Sequence, residues 1–324
     1  MGDQRGDLSG ANCHAIVVGT GRYSSGGRVA LSDLPGAARS ARAVAAVPRE
    51  NCGMDGRVTE IIGPEGPTEV LAAVQAAIDA SEGGVVLFYF IGHGLVGPGR
   101  QLYLATSGTS SADDTVHAVP YDQVGKRLGK AAASTVVVLD CCFSGLAQAA
   151  PQESYREVIT SARPEGSFLL ASATHYAASF TPAGAEHTLF SGELLRLLTE
   201  GNPGGPAWFS LLDLYRILDH RFQGSAARPH SDGVGRASDL VLARNPGRLV
   251  RDASMGPVPE QGGGPCPYPG MRPFLPEQHQ LFFGREELTR GLVSRVRGAG
   301  GPGRRIGGWQ VLPAQGRTRG RSGG

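Results

Sequence analysis

No long apolar run occurs in this sequence. Nothing in its 324 residues approaches the ~18 consecutive apolar residues of a membrane span, and the opening MGDQRGDLSGANCH has no stretch of signal-peptide length. A soluble cytoplasmic protein with no membrane partner is expected. Gly6 stands where a myristoylation motif needs Ser or Thr, which excludes that anchor. Charge of one sign is also lacking: 31 Lys and Arg against 29 Asp and Glu leave +2. With no basic excess there is no electrostatic footprint for nucleic acid. Cysteine is sparse. Cys13, Cys52, Cys141, Cys142 and Cys266 are odd in number and form no CxxC pair, which excludes a disulfide framework and fits a reducing compartment.

What is present is alternation. Short apolar runs are separated by helical patterns, the arrangement that gives a mostly parallel sheet with helices on both faces. The first run is Ala15–Val18, followed by a helical pattern from Leu34 to Val47 in which Ala41, Val44, Ala45 and Val47 share a face. Val58–Ile62 predicts a second strand, and Thr68 predicts the N-cap of a helix over Glu69–Ala80 striped by Val70, Leu71, Val74 and Ile78. Val85–Ile91 is apolar at every position, as a central strand covered on both sides must be, and it leads into Gly92-His93-Gly94. Leu102–Leu104 and a helix over Tyr121–Lys130 follow. Thr135–Asp140 predicts a second central strand, leading into Cys141-Cys142-Phe143-Ser144-Gly145. After a polar loop over 148–166 come a strand over Ser167–Ser172, helices over Leu189–Leu198 and Phe209–Phe222, and a last strand at Leu240–Leu242. Asn245-Pro246-Gly247 breaks the pattern.

In an open parallel sheet, functional groups gather at the carboxyl ends of the strands, where the chain leaves the sheet. His93 and Cys142 are both expected just past such strands, with glycine close by. A thiol needs a neighbouring base to ionise at neutral pH, and imidazole has the required basicity. The backbone N–H groups of Gly94 and Cys142 are candidate donors for the oxyanion of an acyl-transfer intermediate. Taken singly, a cysteine after a strand is usually a small buried hydrophobe; it is the combination that points to nucleophilic catalysis.

Phe90-Ile91-Gly92-His93-Gly94 and Asp140-Cys141-Cys142-Phe143-Ser144-Gly145 resemble the paired signatures of the caspase and metacaspase superfamily, whose histidine precedes its cysteine by about 50 residues. Leu34-Pro35-Gly36-Ala37-Ala38 is similar to the family's first-helix pattern. The resemblance spans about 14–244. It implies a caspase-haemoglobinase fold, a cysteine endopeptidase with His93 and Cys142 as catalytic pair, and a protein or peptide substrate. It also aligns Cys141 with the serine that precedes the family's nucleophile. Alternation along a strand allows only one of the adjacent cysteines to face His93. The resemblance further implies that Asp140 is one acidic wall of a specificity pocket for Arg or Lys. The second wall falls on Arg39-Ser40-Ala41, and the serine before the histidine is replaced by Ile91, which leaves Asp140 as the one acidic candidate. Self-cleavage is expected in the 148–166 loop, at Arg156 rather than at Arg163, which Pro164 follows. Asp113-Asp114 is read as a solvated turn rather than a calcium site, so no metal or cofactor is expected.

The expected organisation is a tail over 1–13, a peptidase domain over 14–245 with its two halves meeting between about 150 and 166, and a Gly/Pro-rich linker over 246–266. Within 267–297, Tyr268-Pro269-Gly270-Met271-Arg272-Pro273-Phe274 and Leu281-Phe282-Phe283-Gly284-Arg285-Glu286 resemble the opening of a STAND-type NTPase. The phosphate-binding loop that should follow is absent. Back-translation of 303–318 with a one-base shift permits such a loop, so 298–324 reads as an out-of-frame, disordered tail. The resemblance implies a role in signalling, cell death or defence, with a sensor NTPase module as partner. A catalytically silent caspase-like scaffold is the competing expectation.

Overall fold

The computed structural model describes residues 12–26, 30–51, 54, 57–130, 134–144, 158, 164, 167–174, 181–182, 184–225, 228–233, 238 and 240–248. Six strands run β2-β1-β3-β6-β7-β9 across the sheet: β1 (Cys13–Gly19), β2 (Val58–Ile62), β3 (Val85–Val96), β6 (Ser134–Ser144), β7 (Ser167–Thr174) and β9 (His230–Asp232). Neighbours are parallel except β9, which pairs antiparallel with β7. Two short strands, β4 (Leu102–Leu104) and β5 (Val119–Pro120), extend the sheet beyond the end of β1 through antiparallel pairing of β4 with β3.

Burial on both faces explains the apolar runs. In β3 the odd positions Val85, Leu87, Tyr89 and Ile91 join one core layer and the even positions Val86, Phe88 and Phe90 the other, because successive side chains alternate. The first layer is closed by α1 (Pro35–Asn51), α4 (Leu189–Thr199) and α5 (Leu211–Arg221). The second is closed by α2 (Pro67–Ser81) and α3 (Tyr121–Leu128). The four residues Ala41, Val44, Ala45 and Val47 are all buried on α1, as their spacing predicts.

Several boundaries differ from expectation. Helix α2 starts at Pro67 with Gly66 as N-cap, so Thr68 lies inside it; proline's fixed φ suits the first helical turn and needs no side-chain cap. The expected helix from Phe209 begins instead with the strand β8 (Trp208–Ser210), and α5 starts after it. There Ser210 accepts the Asp213 N–H while the Asp213 carboxylate accepts from the Ser210 backbone, a reciprocal cap that defines the start. The last strand, β10 (Val241–Arg244), pairs with β8 in a separate two-stranded sheet. The two central strands are longer than their apolar runs: β3 continues from Ile91 to Val96 and β6 from Asp140 to Ser144. Pairing with each other, and of β3 with β4, sustains them past the glycines.

Candidate functional site

His93 and Cys142 are direct partners in the β3–β6 ladder, so both lie within strands rather than just beyond them. The pairing continues for two more steps, Gly94 with Phe143 and Leu95 with Ser144. In a parallel ladder, partners share a face, and the parity of 142 is that of Val136, Val138 and Asp140. Cys141 has the opposite parity. It is buried in the layer of Phe88, Phe90, Val137 and Leu139, away from the face that His93 shares with Tyr89 and Ile91.

His93 is 1% exposed. Its Nε2 lies 2.8 Å from the Ser32 carbonyl oxygen. A carbonyl only accepts, so Nε2 carries the proton in the neutral ring and Nδ1 carries the lone pair. That tautomer leaves Nδ1 as the accepting nitrogen of the ring. Tyr23 packs against it with ring centroids 4.8 Å apart. Sequence reading missed both contacts. Ser32 contributes a backbone atom, which leaves no residue-type signal, and Tyr23 sits in a turn-rich stretch with no pattern to single it out.

The backbone around His93 has a definite orientation. Thr20 N–H donates to the Ile91 carbonyl and Ala105 N–H to the His93 carbonyl, both at 2.9 Å, so odd-numbered peptide groups of β3 face β1 and β4. The alternation then turns the Gly94 N–H toward β6, the strand that carries Cys142.

Asp140 is 1% exposed and deeply engaged. Its Oδ2 accepts from the Thr188 hydroxyl at 2.6 Å, the Ser191 hydroxyl at 2.6 Å and the Ser191 N–H at 3.2 Å. Thr188 is the N-cap of α4, yet its hydroxyl goes to Asp140 instead of its own helix. Asp140 therefore caps α4 from a neighbouring strand, where the helix dipole favours negative charge. Ser40 on α1 completes the join by accepting the Thr188 N–H at 2.9 Å. Tyr89 and Ser191 share a 2.9 Å hydrogen bond, and since the Ser191 proton is given to Asp140, the Tyr89 hydroxyl is the donor. Burial pushes the Asp140 carboxyl up to about 6, against the lowering effect of the Ser191 and Thr188 hydrogen bonds. Burial, and then the Asp140 charge, pushes the Tyr89 phenol well above its ordinary value. All three hydrogen bonds from Thr188 and Ser191 go to Oδ2, and the carboxylate as a whole is buried, so a substrate cation reaches it only with local movement.

The Asp113-Asp114 turn is tied internally. Burial pushes the Asp114 carboxyl up, but hydrogen bonds from Ser110 and His117 outweigh it and hold it at about 2. No cluster of three or more His, Cys, Asp or Glu side chains fit to hold a metal occurs among the described residues, and no helix there is long and apolar enough to cross a membrane. Arg156 and most of the 148–166 loop, the tail up to residue 11 and everything from 249 onward, including the NTPase-like segment, lie outside the described residues.

The model of the family described as "Caspase domain" matches residues 12–236. Among solved structures, a protein from Geobacter sulfurreducens aligns with a TM-score of 0.50 and 18% identity, over 73% of this chain and 98% of its own. At that identity the likeness speaks to the fold alone. Caspase-1 from Spodoptera frugiperda aligns at 0.46 with 11% identity, covering 73% of this chain and 91% of that one. A structure titled pro-sf-caspase-1 aligns at 0.44 with 11% identity, covering 68% and 90%. No curated protein matches the sequence.

Proposed function

Because this chain belongs to the caspase-domain family, we propose that it is a cysteine endopeptidase with Cys142 as nucleophile and His93 as its base and acid. The register carries this reading: His93 and Cys142 are partners at the centre of the sheet, and the Ser32 carbonyl decides which imidazole nitrogen takes the proton. Nδ1 of His93 accepts the thiol proton, and the thiolate attacks the substrate carbonyl carbon. The oxyanion is met by the N–H groups of Gly94 and Cys142. His93 then protonates the leaving amine, and water, deprotonated by the same imidazole, hydrolyses the thioester. The substrate is a protein or peptide.

Asp140 supports a preference for Arg or Lys before the scissile bond, reached when the cover over its buried carboxylate moves. The role is signalling, cell death or defence in the cytoplasm, with the 267–297 segment joining the peptidase to an NTPase sensor and 246–266 as linker. Self-cleavage at Arg156 accompanies activation.

One observation favours a second reading, a silent scaffold. The β3–β6 pairing runs on through Leu95 and Ser144, so the donors at Gly94 and Cys142 face a continuous ladder and must leave it to receive an oxyanion. Incubation with Arg-, Lys- and Asp-terminated coumarin peptides separates the two. The peptidase reading expects turnover that falls by a factor on the order of 10³ or more in Cys142→Ala and in His93→Ala. Equal signal from all three proteins would leave the scaffold.

A further inference from the structure

On the edge of β3 that faces β1 and β4, one strand stops before the other begins. The last partner from β1 is Gly19, opposite Ile91, and the first from β4 is Leu104, opposite Gly94. The Thr20 N–H extends the first ladder by one bond to the Ile91 carbonyl, and the Ala105 N–H opens the second at the His93 carbonyl. The donor left between them is the backbone N–H of His93, which donates to the Tyr23 hydroxyl at 3.1 Å. That hydroxyl in turn donates to the Thr20 carbonyl at 2.7 Å. A side chain thus bridges the seam at the residue whose imidazole does the chemistry.

Three further features point the same way. A Cβ on Gly92 would come within 2.9 Å of the Phe90 ring and 3.2 Å of the Tyr23 hydroxyl oxygen, so glycine there leaves room for both the ring and the bridge. The Tyr23 ring lies against the imidazole at 4.8 Å and limits its rotation. The loop that carries Tyr23 is itself closed, by Leu34 N–H to the Gly21 carbonyl at 2.8 Å and Tyr23 N–H to the Asp33 carboxylate at 3.3 Å. Its far end brings Ser32 to Nε2.

We propose that Tyr23 is a positioning residue for His93, holding backbone and ring so that Nδ1 meets the Cys142 thiol. This rests on the dyad reading above. Gly92 and Gly94 bring no side chains to pack beside the imidazole, and a displacement of a fraction of an ångström is costly to proton transfer.

The test follows Cys142 carboxamidomethylation by iodoacetamide in the full chain, read by mass spectrometry as a function of pH, beside turnover of the coumarin peptides. Tyr23→Phe keeps the ring and removes the bridge. The expected result is a roughly tenfold loss of kcat with KM within about twofold, and a Cys142 alkylation profile displaced toward higher pH, beside a modest fall in melting temperature from the lost bridge that leaves the protein folded at the assay temperature. Asp33→Ala, which removes the acceptor of the Tyr23 N–H and leaves the phenol intact, should shift both in the same direction by less. An unchanged profile in Tyr23→Phe, or a loss of activity that merely tracks a loss of fold with the profile unmoved, overturns the inference alone. Alkylation of the wild type that does not depend on His93 ends the dyad reading, and the inference with it.

Discussion

On one face of β6, Val137, Leu139 and Cys141 sink into an apolar layer with Phe88, Phe90 and Leu128, whereas on the other Asp140 sits among the hydroxyls of Thr188, Ser191 and, through Ser191, Tyr89. The two environments are one residue apart in sequence. Two-residue alternation lets a single strand seal a dry core with one set of side chains and anchor a polar network with the other. That separation assigns Cys141 to the dry side.

The sharpest way to probe the contrast is pH. The folded Asp140 carboxyl is raised to about 6, above its unfolded value, so the folded state binds the extra proton in the interval between. Its contribution is therefore fully present below about pH 4 and lost as pH rises through about 6, on the order of 3 kcal/mol in all. Thermal melts of wild type and Asp140→Asn across pH 4 to 7 should show the variant's curve flatter by that amount. Parallel curves would mean that the carboxylate is better solvated than its burial implies.

The apolar face should answer differently. Cys141→Ala removes a buried thiol from the layer of Phe88, Phe90 and Leu139, at a cost of about 1.5 kcal/mol in urea unfolding, with peptidase turnover retained. Loss of turnover without loss of stability would instead make Cys141 the nucleophile. The smallest effect is expected from Ser40→Ala, which leaves the buried Thr188 N–H without its acceptor. About 1 kcal/mol of stability should be lost, again by urea unfolding, and no loss would place the α1–α4 join elsewhere.

Much of this architecture was legible in the chain. Fully apolar runs marked β3 and β6 as central, and alternation required Cys141 and adjacent Cys142 to take opposite faces, while the choice between them came from the family resemblance. The ends of those strands were not legible, because β4 and the β3–β6 ladder extend them through partners remote in sequence and glycine carries no strand signal of its own. Asp140 illustrates the same limit. It reads as an acidic wall, but Thr188 and Ser191, the groups that occupy its carboxylate, lie 48 and 51 residues further along. Ser32 and Tyr23 were invisible for other reasons: Ser32 reaches His93 through its carbonyl, which any residue possesses, and Tyr23 reaches it by its side chain from a turn-rich stretch remote in sequence with no pattern to single it out.

Local chemistry, then, determined which strands are buried on both faces and which residue types stand ready near their ends, since side-chain alternation and apolar burial act over a few neighbouring positions. Tertiary structure alone decided that His93 and Cys142 are ladder partners, that a tyrosine and a serine carbonyl hold the imidazole, and that Asp140 caps a helix. Each of those depends on hydrogen bonds between segments tens of residues apart, and their geometry exists only once the sheet has closed.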